Sequence, residues 1–435
     1  MDIQVGKPIP FKENLKKLHS KWNFWLNSYR VDEDYINSKD ALGNPTIKPF
    51  ICETKRDYTD RKIRTTLRNL IGPIVQQYSS VVFRNEVERD QNWLEVAQNA
   101  DSRGKTLNAT LTEALEAAQI FGFGCLMVEN LVPGTALSIA QARETGSIQR
   151  IINVDNYSLV NWLEVDGYLL EALISFRDSE GNTFLRYYND SVVQDVFVDK
   201  DNKKVTGVGE PVEHGYSKIP VYFLRLPVAY EAFVQPLSMS QMGINNNLSL
   251  LSEEIVNNTF SRFVISGVSG FSGLTKEERE ALEISWSSRR MLVLEDTGVN
   301  VNSISSDKSQ ADSIRQTILE ETNELLRLAG LYEGNVGAGA SGEARQISRD
   351  KFFIIASGFS KAVEAAENYL ITLWQQTVGT NIASSSYSLD FDELDWQQEI
   401  NQLRDILSLD VPEELKTYAI EQFKNNYMPL ASSLK

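Results

Sequence analysis

The chain has 435 residues, with 43 Lys or Arg and 59 Asp or Glu, which gives a formal net charge of −16. A charge of this sign does not fit a protein that grips nucleic acid phosphates over its whole surface. No run of 18 apolar residues and no apolar leader occur, so we expect neither a membrane span nor a secretion signal. The two cysteines, Cys52 and Cys125, cannot build a disulfide framework, and we expect buried thiols.

The first 230 residues predict an α+β body. Apolar residues at helical spacing predict helices over residues 13–30, 60–83 and 106–120, with a kink or break at Gly72-Pro73 in the second. Residues 28–50 are polar and predict a loop. Alternating segments bounded by turn residues then predict strands at residues 125–129, 151–154, 169–177, 183–188, 192–198 and 221–226.

A different pattern begins at Pro236. Residues 237–258 predict a helix with a narrow apolar stripe, which consists of Ile244, Leu248, Leu251 and Ile255. Such a stripe is too small for a monomer core, and we expect it to pack against helices of the same and neighbouring subunits. A short charged helix at residues 276–285 and a strand at residues 291–294 follow. Residues 308–330 predict a second narrow-striped helix, and residues 344–376 a longer one.

A glycine-rich loop at residues 331–343 connects these last two helices. Its Gly337-x-Gly339-x-x-Gly342 spacing matches a dinucleotide fingerprint, but that fingerprint needs a preceding strand and a βαβ unit, and here a helix precedes it. The loop has no Lys or Arg. We expect a mobile loop whose small residues allow backbone freedom.

Catalytic signatures are missing from the sequence. There are two histidines, His19 and His214, and no zinc-ligand spacing, phosphate-binding loop or nucleophile elbow. We therefore expect no enzyme activity, no catalytic residue, no metal and no cofactor. Residues 390–414 are the densest acidic stretch, and a solvated or partner-facing surface is favoured there over a metal site, because the acids lack calcium-loop spacing.

Several segments, taken in order, resemble a portal protein of tailed bacteriophages, the head-to-tail connector. The early Tyr58-Thr-Asp-Arg61 segment and the strand that leads to Asn161-Trp162 are similar to portal segments, as is the Ile219-Pro-Val-Tyr-Phe223 strand. The helix that opens at Pro236-Leu237 resembles the start of the portal stem. The remaining segments are Phe121-Gly-Phe-Gly-Cys-Leu-Met-Val-Glu129, Leu274-Thr-Lys-Glu-Glu, Met291-Leu-Val-Leu-Glu295 and Ser341-Gly-Glu-Ala-Arg345.

The resemblance implies a portal-like α+β fold with these parts in chain order. The parts are a wing at 1–235, a stem helix at 236–263, a clip at 264–307, a second stem helix at 308–330, a tunnel loop at 331–343, a long wing helix at 344–389 and a helical crown-like region at 390–435. Basic residues of the clip, Lys276, Arg289 and Arg290, are expected to attract DNA. The tunnel loop is expected to contact DNA sterically through Gly334, Asn335, Val336, Gly337, Ala338, Gly339, Ala340 and Ser341.

The implied function is a ring, usually of twelve copies, at one vertex of the virion capsid. Double-stranded DNA would be packaged and ejected through its channel without sequence specificity. The implied partners are the terminase large subunit, the major capsid protein and head–tail adaptor or neck proteins, with assembly in the host cytoplasm and no membrane. Two alternatives stay open: another capsid or neck scaffold protein, and a metal-dependent enzyme that uses the acidic C-terminal region.

Overall fold

The computed structural model describes most of the chain. The described residues are 1–51, 53–130, 149–178, 180–199, 201, 203–259, 262–266, 275, 277, 292–294, 300–304, 308–331, 342–378, 381–389 and 391. Met1–Leu389 forms one compact unit and Asp390–Lys435 forms another. The helices and strands of the first unit confirm the α+β class.

Six helices and three short strands form the body of the first unit. The helices are α1 (Leu15–Arg30), α2 (Glu33–Asn37), α3 (Lys55–Arg64), α4 (Ile71–Val82), α5 (Gln91–Gln98) and α6 (Leu107–Phe121). Side chains cap the N-terminal ends of two of these helices, α3 and α6, as examples: Thr54 accepts from the Asp57 N–H, and Thr106 from the Ala109 N–H. The strands are β1 (Gly124–Asn130), β2 (Gln149–Val154) and β9 (Val221–Leu224), with β1 in the centre.

A second, antiparallel sheet contains β3 (Leu159–Val165), β4 (Tyr168–Arg177), β5 (Thr183–Tyr188), β6 (Val192–Val198) and β7 (Val205–Val208) in chain order, and β8 (Val212–Glu213) pairs with β6. Alternate residues of these strands point to one face, where they pack with the N-terminal segment. The buried residues of this core are Ile9, Val160, Leu173, Leu185, Val196 and Val205.

Three long helices follow the sheets. They are α7 (Val234–Thr259), α8 (Lys308–Leu328) and α9 (Gly342–Val378). Between α7 and α8 lies a small sheet of β10 (Arg262–Ser266), β11 (Leu292–Leu294) and β12 (Asn300–Ile304). Because β10 and β12 are antiparallel, the chain turns back there, and α8 runs back along α7.

Two features of the N-terminal half differ from the sequence predictions. The helix predicted over residues 60–83 is two helices, as Gly72-Pro73 suggested, but the break lies upstream, at residues 65–70. Pro73 stands in the first turn of α4, where its missing N–H costs nothing. The loop predicted over residues 28–50 was wrong in part, because α2 lies within it and is capped by Asp32.

Two positions where α6 turns into β1, Gly122 and Gly124, allow no side chain. Gly122 has φ 92°, and a β-carbon there would lie 2.1 Å from the Glu231 carbonyl oxygen. A β-carbon at Gly124 would lie 2.0 Å from the carbonyl oxygen of Ala114. Both neighbours are backbone atoms, which cannot rotate away. This contact fixes β1 against α6 at a distance that only glycine permits.

We expect Gly124→Ala to lower the free energy of unfolding by more than about 2 kcal/mol, because the backbone of α6 must move. The matched control is Gly207→Ala, since a β-carbon at Gly207 would lie 3.4 Å from the Phe197 ring, an ordinary contact. Urea unfolding followed by circular dichroism measures both. Equal effects of the two substitutions would contradict the close packing of α6 on β1.

Candidate functional site

The exposure of the four predicted stem residues increases from the N-terminal to the C-terminal part of α7. Ile244 is fully buried, Leu248 and Leu251 are half-buried, and Ile255 is 44% exposed. The helix therefore begins inside the body and leaves it along its length. The predicted tunnel loop residues Gly334–Ser341 and the basic clip residues Lys276, Arg289 and Arg290 lie outside the described residues.

The polar side of α7 is bound to the chain's own backbone. Gln241, Asn245 and Asn246 make this contact, and Ser249 adds hydrogen bonds to the side chains of Arg61 and Thr65; we call these four residues the polar seam. The Gln241 amide oxygen accepts from the N–H groups of Leu70, at 2.7 Å, and Ile71, at 3.1 Å. Its amide nitrogen donates to the Ser28 carbonyl oxygen at 2.7 Å. Gln241 is fully buried, so its bonds replace those that these backbone groups would make with water.

Two asparagines extend the polar seam along α7. Asn245 accepts from the N–H of Arg68 at 2.8 Å and donates to the carbonyl oxygen of the same residue at 3.3 Å. Asn246 accepts from the Lys48 N–H at 2.8 Å and donates to the Thr46 carbonyl oxygen at 2.7 Å. Amides of α7 thus bond to the backbone of Arg68 and Leu70 between α3 and α4, in place of the bonds that a continuous helix would make, and this favours the break there.

A buried arginine completes the polar seam. Arg61 of α3 donates to Ser249 at 2.7 Å and makes two bonds to Glu53, at 2.7 and 2.8 Å. It also donates to the Lys48 carbonyl oxygen at 2.7 Å, and its guanidinium lies 4.1 Å from the centre of the Phe50 ring. The hydrogen bond from Arg61 lowers the pKa of the Glu53 carboxyl, so the pair stays ionised.

The contact of α8 with α7 is narrow, as the sequence predicted. The fully or almost fully buried residues of α8 are Ala311, Ile318 and Leu325, seven residues apart, a spacing typical of paired helices. Asn247 of α7 donates to Glu321 of α8 at 2.9 Å. Most other side chains of α8 are exposed, including Leu319 at 49%.

The end of α8 is fastened to the body where the glycine-rich loop begins. Gly330 has φ 75°, and the N–H of Leu331 donates to the Leu326 carbonyl oxygen at 2.8 Å, which closes the helix. The Tyr78 hydroxyl donates to the Ala329 carbonyl oxygen at 2.7 Å. Around the ring of Tyr78 pack three further aromatic rings, those of Phe233, Phe352 and Phe359.

A second buried ion pair fastens α9, on the other side of the loop. Arg89 donates twice to Glu367, at 2.7 and 2.9 Å, and Trp93 and Ser385 donate to the same carboxylate at 2.8 and 2.7 Å. Burial opposes ionisation of Glu367, but the hydrogen bond and charge of Arg89 outweigh it and lower the pKa of the carboxyl. Both helices that flank the loop are therefore fixed to one body.

The polar seam was missed in the sequence. Its signal was present, because Gln241, Asn245 and Ser249 recur at four-residue spacing beside the apolar stripe, but polar residues on a helix normally face water. Within the described part of the chain, no group of three or more His, Cys, Asp or Glu is placed to hold a metal ion. None of the described helices is both long and apolar enough to cross a membrane.

Known proteins were compared with the chain in three ways. No protein-family model matches it, and no curated protein matches it. Among solved structures it is similar to the virion of a native gene transfer agent particle, with 12% identity, a TM-score of 0.42 and 96% of each chain covered. It is also similar to the neck of the native particle computed with C12 symmetry, with 11% identity, a TM-score of 0.41, and 80% of this chain and 88% of that chain covered.

A further similar structure is an HK97-family phage portal protein from Corynebacterium diphtheriae. The identity is 11% and the TM-score 0.39, with 78% of this chain and 95% of that chain covered. It bears the name of the family that the sequence resembles. Identities and scores this low are no basis for a statement on function, which must come from the chain's own contacts.

We expect Gln241→Met to lower the free energy of unfolding by about 3 kcal/mol, because it leaves two N–H groups and one carbonyl oxygen buried without partners. Gln316→Met is the matched control, since Gln316 of α8 bonds only to exposed Glu320. Thermal unfolding of the two variants at equal concentration compares them. A Gln241→Met protein as stable as the control would show that the polar seam does not hold α7.

We expect Glu367→Gln to cost about 3 kcal/mol at neutral pH, since Arg89 loses its buried counter-charge. The pKa of Glu367 is lowered in the folded state from 4.5, so its stabilisation is present above about pH 4.5 and is lost as pH falls through the folded value. The gap between wild type and variant should therefore shrink in acid.

The control for this experiment is Glu113→Gln, which removes an exposed pair with Lys105 and should cost less than about 1 kcal/mol. Urea unfolding across the acid range measures all three proteins. A gap between wild type and Glu367→Gln that stays constant down to the lowest pH would contradict the assignment.

Proposed function

We propose that the chain is a structural, portal-like subunit that assembles into a ring, through whose channel double-stranded DNA passes into and out of a phage capsid. The observation that carries the proposal is the pair α7 and α8. Their body ends are fixed by the polar seam and by the Tyr78 contact, and their other ends join the small sheet. A rigid pair of this kind can hold a small sheet and a loop at set positions in every copy of a ring.

Exposed apolar side chains on the long helices support assembly. Met239 and Ile255 of α7, Leu319 of α8 and Ile354 of α9 are each at least 44% exposed, on helices whose other exposed positions are mostly polar. Burial of such a side chain stabilises by roughly 1.5–3 kcal/mol. Neighbouring copies in a ring are the partners that would supply this burial, in addition to the contact of α8 with α7.

The charge of α7 and the net charge of the whole chain support passage of DNA without tight binding. Residues 234–259 contain two Glu and no Lys or Arg. Twelve copies at −16 would carry roughly −190, a field that repels phosphates except near local basic groups. The proposed channel residues are the loop Gly334–Ser341, which would follow the duplex by steric contact, and Lys276, Arg289 and Arg290, which would attract it.

The proposed partners follow from the place of such a ring. In the virion the ring would sit at one capsid vertex among copies of the major capsid protein. The terminase large subunit would dock first and drive packaging, since the sequence has no phosphate-binding loop of its own. Neck or tail adaptor proteins would follow it on the assembled ring.

The test is assembly of the purified chain. We expect wild type to form a closed ring, visible in electron micrographs and in its mass by light scattering after size exclusion. Leu319→Asp should shift the ring towards monomer by at least about tenfold in concentration, because a charge in a dry contact costs several kcal/mol. The monomer should stay folded, since Leu319 is exposed in the single chain.

Leu170→Asp is the matched control, because Leu170 is 43% exposed on β4, away from the long helices. It should assemble as wild type does. A wild-type chain that stays monomeric at every concentration, or a Leu319→Asp chain that assembles as well as the control, would contradict a ring built on these helices.

A further inference from the structure

The N-terminal half contains a basic segment within an acidic chain. Residues 48–68 contain seven Lys or Arg and three Asp or Glu, whereas the whole chain has 43 basic and 59 acidic residues. Two of the seven are already used: Arg61 is paired with Glu53 inside the fold, and Arg64 binds Glu253 of α7 at 2.8 Å. Among the described residues, Lys48, Lys55, Arg56 and Arg68 are exposed and form no ion pair.

Lys55 and Arg56 stand where a helix does not favour them. They are the first two residues of α3, and the N-terminal end of a helix carries a partial positive charge. Basic residues there cost stability, whereas acidic residues would contribute to it. The two cations therefore do not stabilise the fold of the single chain. A binding partner outside the chain would account for them.

Apolar side chains lie beside these cations. Ile51, just before α3, is fully exposed, and Ile63 near the end of α3 is 78% exposed. We call Ile51, Lys55, Arg56 and Ile63 the α3 surface. Burial of an exposed isoleucine stabilises a contact more than an exposed ion pair does. The binding free energy is most favourable for a partner that covers the isoleucines and also pairs with the cations. A protein surface can do both, whereas nucleic acid phosphates can only pair with the cations.

We propose that the α3 surface is a contact between copies of this chain, in which it binds an acidic face of the next copy. The charge of the chain supports this partner, because a net −16 offers acidic surface around a local excess of cations. One patch that meets a different patch of the next copy makes a head-to-tail contact, and such contacts form a ring when the rotation from copy to copy closes on itself. Helix α3, which carries most of the α3 surface, is itself bound to α7 through the Arg61–Ser249 and Arg64–Glu253 contacts. The proposal rests on the proposed function, for which it names an interface.

The test uses charge reversal in the full-length chain. The variant Lys55→Glu/Arg56→Glu changes the α3 surface, and Lys203→Glu/Lys204→Glu makes the same change of net charge at an exposed turn between β6 and β7. The first pair also places acidic residues at a helix N-terminus, so the folded monomer should be no less stable. Thermal unfolding of the two monomers checks this.

We expect the α3 variant to need at least about tenfold more protein than the control to form rings, with the loss growing as salt is lowered and like charges meet. Ile63→Asp should weaken assembly similarly, and Val212→Asp, at an exposed site on β8, should not. Mass by light scattering across protein and salt concentrations gives the result.

Three outcomes that differ from this expected result would overturn the proposal. If the α3 variant forms rings as readily as the control, the surface is not a contact between copies. If its rings also bind a short duplex of random sequence more weakly than control rings do, the surface serves DNA. If wild type itself never assembles, the proposed function fails and this interface with it, whereas rings in wild type and variant alike overturn the interface alone.

Discussion

The hydrogen bonds of the polar seam are the constraint on which the arrangement of the long helices depends. Three buried or half-buried amides of α7 satisfy backbone groups at Ser28, Thr46, Lys48 and the break between α3 and α4. Backbone groups without a helix or sheet partner are costly inside a protein, so the break is stable only with α7 in this one position. The direction in which α7 leaves the body follows, and with it the placement of α8 and the small sheet.

The two helices that flank the glycine-rich loop are fixed to the body by different kinds of interaction. Before it, the Tyr78 hydroxyl and a cluster of aromatic rings receive the last turn of α8. After it, α9 is fixed by the fully buried Glu367 and its donors. The two supports lie on opposite sides of the loop in the sequence but belong to one compact unit.

Local signals predicted most of the elements. The strands Thr183–Tyr188 and Val192–Val198 were predicted to the residue, because alternation and flanking turns are contained in each short segment. The α+β class and the three long helices were also confirmed, because the helical spacing of apolar residues is likewise a local signal. The break at residues 65–70 was placed too far along the chain, since the amides that bond to its backbone belong to residues 171 to 177 positions away.

The candidate site was predictable only in part. The apolar stripe on α7 was recognised, and its first member, Ile244, is a core residue of the single chain. The sequence indicates no role for the asparagines beside it, because composition cannot distinguish an amide in water from one that bonds to a distant backbone. The buried partners of Arg61, which are Glu53 and Ser249, likewise give no signal in the sequence.

The chemistry that holds α7 in place differs from the chemistry at the surface of α3. Gln241, Asn245 and Asn246 are neutral and bond to neutral backbone groups, so neither ionic strength nor pH in the ordinary range weakens their grip. Lys55 and Arg56 of α3 lie in water, where dissolved ions screen them. Concentrated salt therefore acts on the exterior and leaves the interior untouched. A subunit that dissociates from its neighbours at high salt concentration would keep the arrangement of its long helices. It would associate again when the salt is diluted.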